Sequence, residues 1–117
     1  MNIQIFGKSK CFDTKKAQRW FKERRIKYQD VDLPRYGLSM GEYKSVKQAV
    51  GGLEALIDKS SPLYESLFIE YLADDAAREE KLLDNPGLFR TPIVRNGKKA
   101  TVGYCPEVWK QWEESEK

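Results

Sequence analysis

The sequence predicts an α/β fold: a four-stranded mixed sheet with a helical insertion between a β-α-β half and a β-β-α half. Three observations predict it. Two period-2 apolar patterns with a helical pattern between them open the chain, together about the 30 residues of a parallel crossover unit. From Ser39 to Asn85 the apolar spacing is helical throughout. Two short strand-like runs then flank Asn96-Gly97, and a Trp-bearing helical pattern follows them.

Asn2 to Phe6 reads as a strand because Ile3 and Ile5 alternate with polar neighbours, and Gly7 ends it. The polar loop GKSKCFDT leads into a helix that Asp13 or Thr14 caps, with Ala17, Trp20 and Phe21 on one face and an end near Arg24 or Arg25. Lys27 to Leu33 alternates again through Tyr28, Val31 and Leu33, until Pro34 and Gly37 break the pattern. Ser39 with Glu42 forms a capping box for a helix that buries Met40, Tyr43, Val46 and Val50 and stops at Gly51-Gly52. Two further helices follow, SPLYESLFIEYLA with Pro62 in its first turn and DDAAREEKLLDN with acidic residues at its start; Asn85, Pro86 and Gly87 end the block. Thr91 to Arg95 and Ala100 to Gly103 are strands joined by Asn96-Gly97 in a type I′ turn. The last helix, Pro106 to about Glu114, turns Val108, Trp109 and Trp112 inward. That order is the connectivity of a thioredoxin-like sheet with an all-helical insertion.

A length of 117 residues suits one domain, residues 1–117 with the insertion at about 39–86, and a core that needs no disulfide staples. Lys and Arg number 21 against 18 Asp and Glu, a formal charge of only +3 spread along the chain, so a nucleic-acid interface is not expected. No apolar run approaches the roughly 18 residues of a membrane span, and MNIQIFGKSK has no apolar signal-peptide core. A cytoplasmic protein is therefore expected. With two Cys and no His, the sequence points away from a zinc site and removes Cys-His and Ser-His pairs from consideration.

Any reactive cysteine must then be activated by a helix terminus and by Lys or Arg. Cys11 stands between the first strand and the first helix, where unpaired amides and the positive dipole end favour a thiolate. Lys8, Lys10, Lys15 and Lys16 push the same way and Asp13 opposes them, so its pKa should fall below the ~8.5 of a free thiol. The alternative is a packing cysteine without chemistry. A second feature, Phe89-Arg90-Thr91-Pro92-Ile93, sets a proline at the start of a strand, which fits either a tolerated missing donor or a cis bond that presents the preceding backbone to a ligand. Cys105, in the turn GYCPE, is either a small packing residue behind Pro106 or a partner for Cys11 if their Cα atoms approach within ~7 Å. Trp20, Phe21, Trp109 and Trp112 are read as core, and Lys22 to Lys27 as a solvated helix end.

The loop Cys11, Lys15-Lys16-Ala17, the Gly-Leu-Glu-Ala-Leu-Ile run at Gly52 to Ile57, the insertion, Arg90 to Val94 and Gly103 to Glu107 stand in one order. That order resembles the arsenate reductase and Spx group of glutaredoxin-like proteins over nearly the whole chain. The resemblance implies a thiol-dependent reductase with no bound cofactor, in which Cys11 attacks the substrate and glutathione with glutaredoxin, or another small thiol, resolves the adduct. It further implies Arg90 as an anion or glutathione-carboxylate contact. Lys10, Thr14, Thr91, Pro92 and Tyr104 become substrate-binding candidates, and Cys105 a candidate resolving thiol; the expected state is a monomer. Arsenate reductases of the group use three arginines; Arg90 resembles one, and the positions of the other two hold Glu54 and Tyr104. The Spx branch binds RNA polymerase and often carries Cys-x-x-Cys at this loop, where this chain has Cys11-Phe12-Asp13-Thr14. A regulatory or adaptor protein that binds a protein partner without catalysis is the alternative function.

Overall fold

Alternating Ile3 and Ile5 form β1 (Ile3–Gly7) in the computed structural model, which describes residues 1–116. Helix α1 (Phe12–Glu23) returns the chain to β2 (Tyr28–Asp32), parallel to β1 with Ile3 opposite Tyr28 and Gly7 opposite Asp32. Strand β3 (Ile93–Asn96) pairs antiparallel with β1 on its other edge, and β4 (Lys99–Val102) pairs antiparallel with β3. The sheet order is β2-β1-β3-β4, the mixed four-stranded arrangement of a thioredoxin-like fold. Between β2 and β3 lie α2 (Leu33–Tyr36), α3 (Met40–Val50), α4 (Pro62–Ser66) and α5 (Asp75–Asp84); α6 (Pro106–Ser115) follows β4.

Pleating divides the core between the two faces of the sheet. Ile3, Ile5 and Val94 meet Ala17, Trp20 and Phe21 of α1 and Trp109 and Trp112 of α6. Trp20 and Trp109 meet edge-on at 5.5 Å, and the Trp109 indole donates to Thr101 Oγ1 at 2.8 Å, so this buried nitrogen is satisfied. On the opposite face Phe6 and Ile93 pack with Leu33, Tyr43, Val46, Ile69, Leu82 and Phe89 of the insertion and its flanks. Among the described residues no helix is long and apolar enough to cross a membrane.

Several elements differ from the pattern-based expectation. The cap of α1 is Cys11 itself, extended at φ −89° and ψ 118°, rather than Asp13 or Thr14. Leu33 leaves the strand to open α2, whose first turn accepts Pro34 because that position needs no amide donor. Residues 61–73 are not one helix: α4 stops at Ser66, Phe68 takes a left-handed φ of 56°, and a 3-10 turn spans Ile69–Tyr71. At this break Ile69 is fully buried while Phe68 is exposed. The capping box of Ser39 and Glu42 forms, but Met40, in the first turn of α3, is 52% exposed while Tyr43 and Val46 are buried. Val108 is likewise exposed, since Trp109 and Trp112 define the inner face of α6 one residue round. The hairpin turn residues are Gly97 and Lys98, and only Gly97 has positive φ, the II′ signature rather than I′.

Candidate functional site

Strand β1 ends at Gly7, directly against Thr14: a Cβ on Gly7 would overlap Thr14 Cγ2 and lie 2.9 Å from its hydroxyl. Glycine is therefore required for the β1–α1 loop to fold back tightly. Within that loop Cys11 N donates to Lys8 O at 3.1 Å, and Lys15 N donates to Cys11 O at 3.2 Å, which starts α1 at Phe12. Among the described residues no side chain caps α1. The Cys11 sulfur thus sits at the position of a cap, facing amides that the helix leaves free.

Cys11 is half-buried, and as a thiol it donates to Thr91 O at 3.5 Å. Partial burial pushes the thiol up. Hydrogen bonds from the Thr14 and Thr91 side chains and from the Thr14 and Asp13 amides outweigh it, so the group ionises below its ordinary value of 9.0. The direction is the expected one, and of the expected causes the helix-start amides contribute, together with the Thr14 and Thr91 side chains, while no lysine is among them.

A cleft of about 380 Å³ opens over the sulfur, lined by Lys8, Lys10, Cys11, Asp13, Asp58, Ser60, Arg90 and Thr91. Its floor is tied. Lys8 Nζ donates to Gly87 O at 2.8 Å and faces Asp58 Oδ2 at 3.8 Å, while Ser60 donates to Asp58 Oδ1 from both its amide (3.0 Å) and its hydroxyl (2.6 Å). Lys8 and Asp58 therefore offset each other. Among the described residues neither Lys10 nor Arg90 forms an ion pair, so two cations stand against Asp13 in the open part of the cleft. The Arg90 amide is anchored to Leu56 O at 2.8 Å, while its guanidinium makes only a long contact to Ala55 O at 3.5 Å.

The remaining candidates lie farther back. Thr14 is buried beside Gly7, and Pro92, joined to Thr91 by a cis peptide bond, is buried behind the cleft. Tyr104 leaves the cleft and stacks edge-on against Trp109 at 5.6 Å, with Lys16 Nζ 5.7 Å from its ring. Cys105 caps α6 and donates to Val102 O at 3.3 Å; burial raises its pKa, against a hydrogen bond from Thr101 and the charge of Arg90. Both cysteines are free thiols. Glu54 is held by Arg78 at 2.8 Å. Asp58 and Ser60 line the cleft although no sequence pattern marked them. The chain brings them there through the Ile57–Phe89 bridge and the Asp58 N to Leu88 O bond at 2.8 Å.

The model of the ArsC family matches residues 6–112. The global transcriptional regulator Spx 2 of Oceanobacillus iheyensis is 30% identical over 109 residues, which cover 89% of this chain and 78% of that protein. An ArsC family related protein from Bacteroides fragilis superposes with a TM-score of 0.82 at 21% identity, covering 95% of this chain and 98% of the other. The arsenate reductase from Vibrio cholerae gives 0.80 at 24% identity, with 95% and 97% covered. At these identities the two structures speak for the fold.

Proposed function

The chain belongs to the ArsC family, and from that premise we propose that it is a thiol-dependent oxidoreductase with Cys11 as its nucleophile. The observation that carries this reading is the sulfur at the α1 N-terminus, which meets donors from Thr14, Thr91 and Asp13 and opens on a cleft with Lys10 and Arg90. A thiolate so placed is an anion at a helix start and a nucleophile at neutral pH.

The step is thiol–disulfide exchange. The Cys11 thiolate attacks one sulfur of a substrate disulfide, the substrate S–S bond breaks, and its departing thiolate takes a proton from water. A small thiol such as glutathione, alone or through a glutaredoxin of the cytoplasmic thiol pool, then attacks the Cys11 mixed disulfide. It gives up its proton, displaces Cys11 as thiolate and forms the new disulfide, which carries the oxidising equivalents away. Lys10 and Arg90 receive the carboxylates of the thiol partner. A disulfide suits this cleft better than arsenate, because Glu54 is paired with Arg78 and Tyr104 stacks on Trp109, where the family's reductases place further arginines.

One observation favours a second reading. The curated relative from Oceanobacillus iheyensis is a global transcriptional regulator, and under that reading the same face docks a protein partner without turnover. Iodoacetamide alkylation of Cys11 against pH, in Cys105→Ala, separates the two. A midpoint below that of a free thiol, with a Cys11–glutathione adduct that excess glutathione releases, supports the reductase. An unshifted midpoint, or an adduct that glutathione does not release, sinks it.

A further inference from the structure

Beside the Cys11 cleft lies a second groove, about 620 Å³, lined by residues of the segment Lys59–Tyr71. Ser60 lines both, so the groove continues the cleft along the surface of the insertion. The two ends differ chemically. At the cleft stand Lys10 and Arg90 against Asp13, with Lys8 balanced by Asp58; along the groove stand the rings of Tyr64, Phe68 and Tyr71 with the carboxylates of Glu65 and Glu70 and the ammonium of Lys59. Phe68 is 66% exposed and Tyr71 78% exposed, although Ile69 between them is fully buried. Phe68 reaches this outward position through a left-handed backbone, which a bulky aromatic residue rarely adopts.

We propose that this groove is the polypeptide subsite of the Cys11 reaction: it receives an extended segment of a partner protein whose disulfide sulfur sits over Cys11. The inference rests on the thiol-exchange reading above and names its substrate class. A small thiol fills the cleft and leaves the aromatic groove unused. A polypeptide spans both, and the charges define its pattern. Acidic groups beside the reactive cysteine face Lys10 and Arg90, an aromatic or long aliphatic side chain lies on Phe68 and Tyr71, and a basic residue follows opposite Glu65 and Glu70. Exposed aromatic rings next to a nucleophile are suited to such an anchor, since they give large contact area for few rotatable bonds.

The test compares two substrates in two proteins. One substrate is glutathione disulfide; the other is the glutathione mixed disulfide of a peptide with the acidic, cysteine, tryptophan and arginine pattern above. The proteins are the parent chain and the double variant Phe68→Gly with Tyr71→Ala, in which glycine accepts the left-handed φ at 68 so that folding is retained. The subsite requires about a tenfold lower rate with the peptide and an unchanged rate with glutathione disulfide. Equal effects on both substrates, or none on either, overturn it. A parallel arm removes the chemistry: the peptide with serine for cysteine is titrated into Cys11→Ser and followed by amide NMR shifts. Shifts at residues 64–71 support the groove even where Cys11 proves unreactive, an outcome that would defeat only the exchange reading. Absence of those shifts, or the same shifts from self-association of the chain without peptide, overturns the groove.

Discussion

At Cys11 the sulfur takes the place where serine or aspartate ordinarily caps a helix, and the same donors that would satisfy a cap oxygen stabilise a thiolate instead. Thr14 is the key contributor. It is 4% exposed, packed against Gly7, and its hydroxyl is the foremost of the groups that lower the Cys11 pKa against burial. Thr14→Val keeps the shape and removes the donor. A hydrogen bond to a charged group contributes about 1.5 kcal/mol or more, so alkylation of Cys11 at a pH below its midpoint should slow about tenfold, with a small loss of stability because the Lys8 amide also donates to this hydroxyl at 3.5 Å. An unchanged rate would show that the amides suffice alone. The position of this cysteine was legible in the sequence, because a polar loop between a strand pattern and a helix pattern puts it at a helix start. The helix-start amides were legible with it, but the four neighbouring lysines, conspicuous in the sequence, are not among the groups that lower its pKa, and Thr91 comes from a distant segment that no local pattern reveals. Tyr104 shows the same limit: its place in the chain suggested the site, and the pull of the Trp109 ring decided otherwise.

One carboxylate ties α5 to α3. Glu79 of α5 accepts from the buried Tyr43 hydroxyl at 2.7 Å and from Lys47 Nζ at 2.9 Å, both on α3. Burial and the Glu79 hydrogen bond push the Tyr43 phenol well above its usual range, and bonds from Lys47 and Tyr43 hold the Glu79 carboxyl below 4.5. Tyr43→Phe should cost about 1 kcal/mol in urea unfolding and speed amide exchange in α5. The pH sign follows from the lowered carboxyl: its contribution is present above pH 4.5, the ordinary value, and is lost as pH falls through the lower folded value. The stability gap between the parent chain and Glu79→Gln should therefore be largest near neutrality and close in acid; a gap that persists there would mean the interaction is not ionic. The capping box at Ser39 and the acidic start of α5, where Asp74 accepts from Ala76 N at 2.9 Å, were legible because they are local, four residues or fewer of sequence. The break at Phe68 was not, because no glycine or asparagine stands at the left-handed position and only its tertiary surroundings mark it. Asp58 and Ser60 escaped for the same reason, being carried to the cleft by pairing between Ile57 and Phe89.

Across the whole molecule, the sheet separates a tryptophan-rich core under α1 and α6 from a second core under the insertion, and the two thiols follow the C-terminal ends of β1 and β4 at the same end of the sheet, in different surroundings. Cys11 faces the cleft at the C-terminal end of β1, whereas Cys105 caps α6 and packs on the tryptophan-rich core. Their environments act oppositely on the same chemical group. Burial still pushes Cys11 up, but donors from Thr14 and Thr91 bring it below 9.0; burial dominates at Cys105 and takes it above 9.0. For the lowered thiol the unfolded chain binds more protons between the folded value and 9.0, so its contribution grows as pH rises, is complete above 9.0 and is lost as pH falls through the folded value. For the raised thiol the contribution is complete below 9.0 and lost as pH climbs through the folded value. Urea unfolding from pH 6 to about 10 should then show the Cys11→Ala variant losing stability relative to the parent as pH increases, and Cys105→Ala gaining. Two parallel curves would mean that neither environment distinguishes the thiolate from the thiol, and the division between a reactive and a packing cysteine would fall with them.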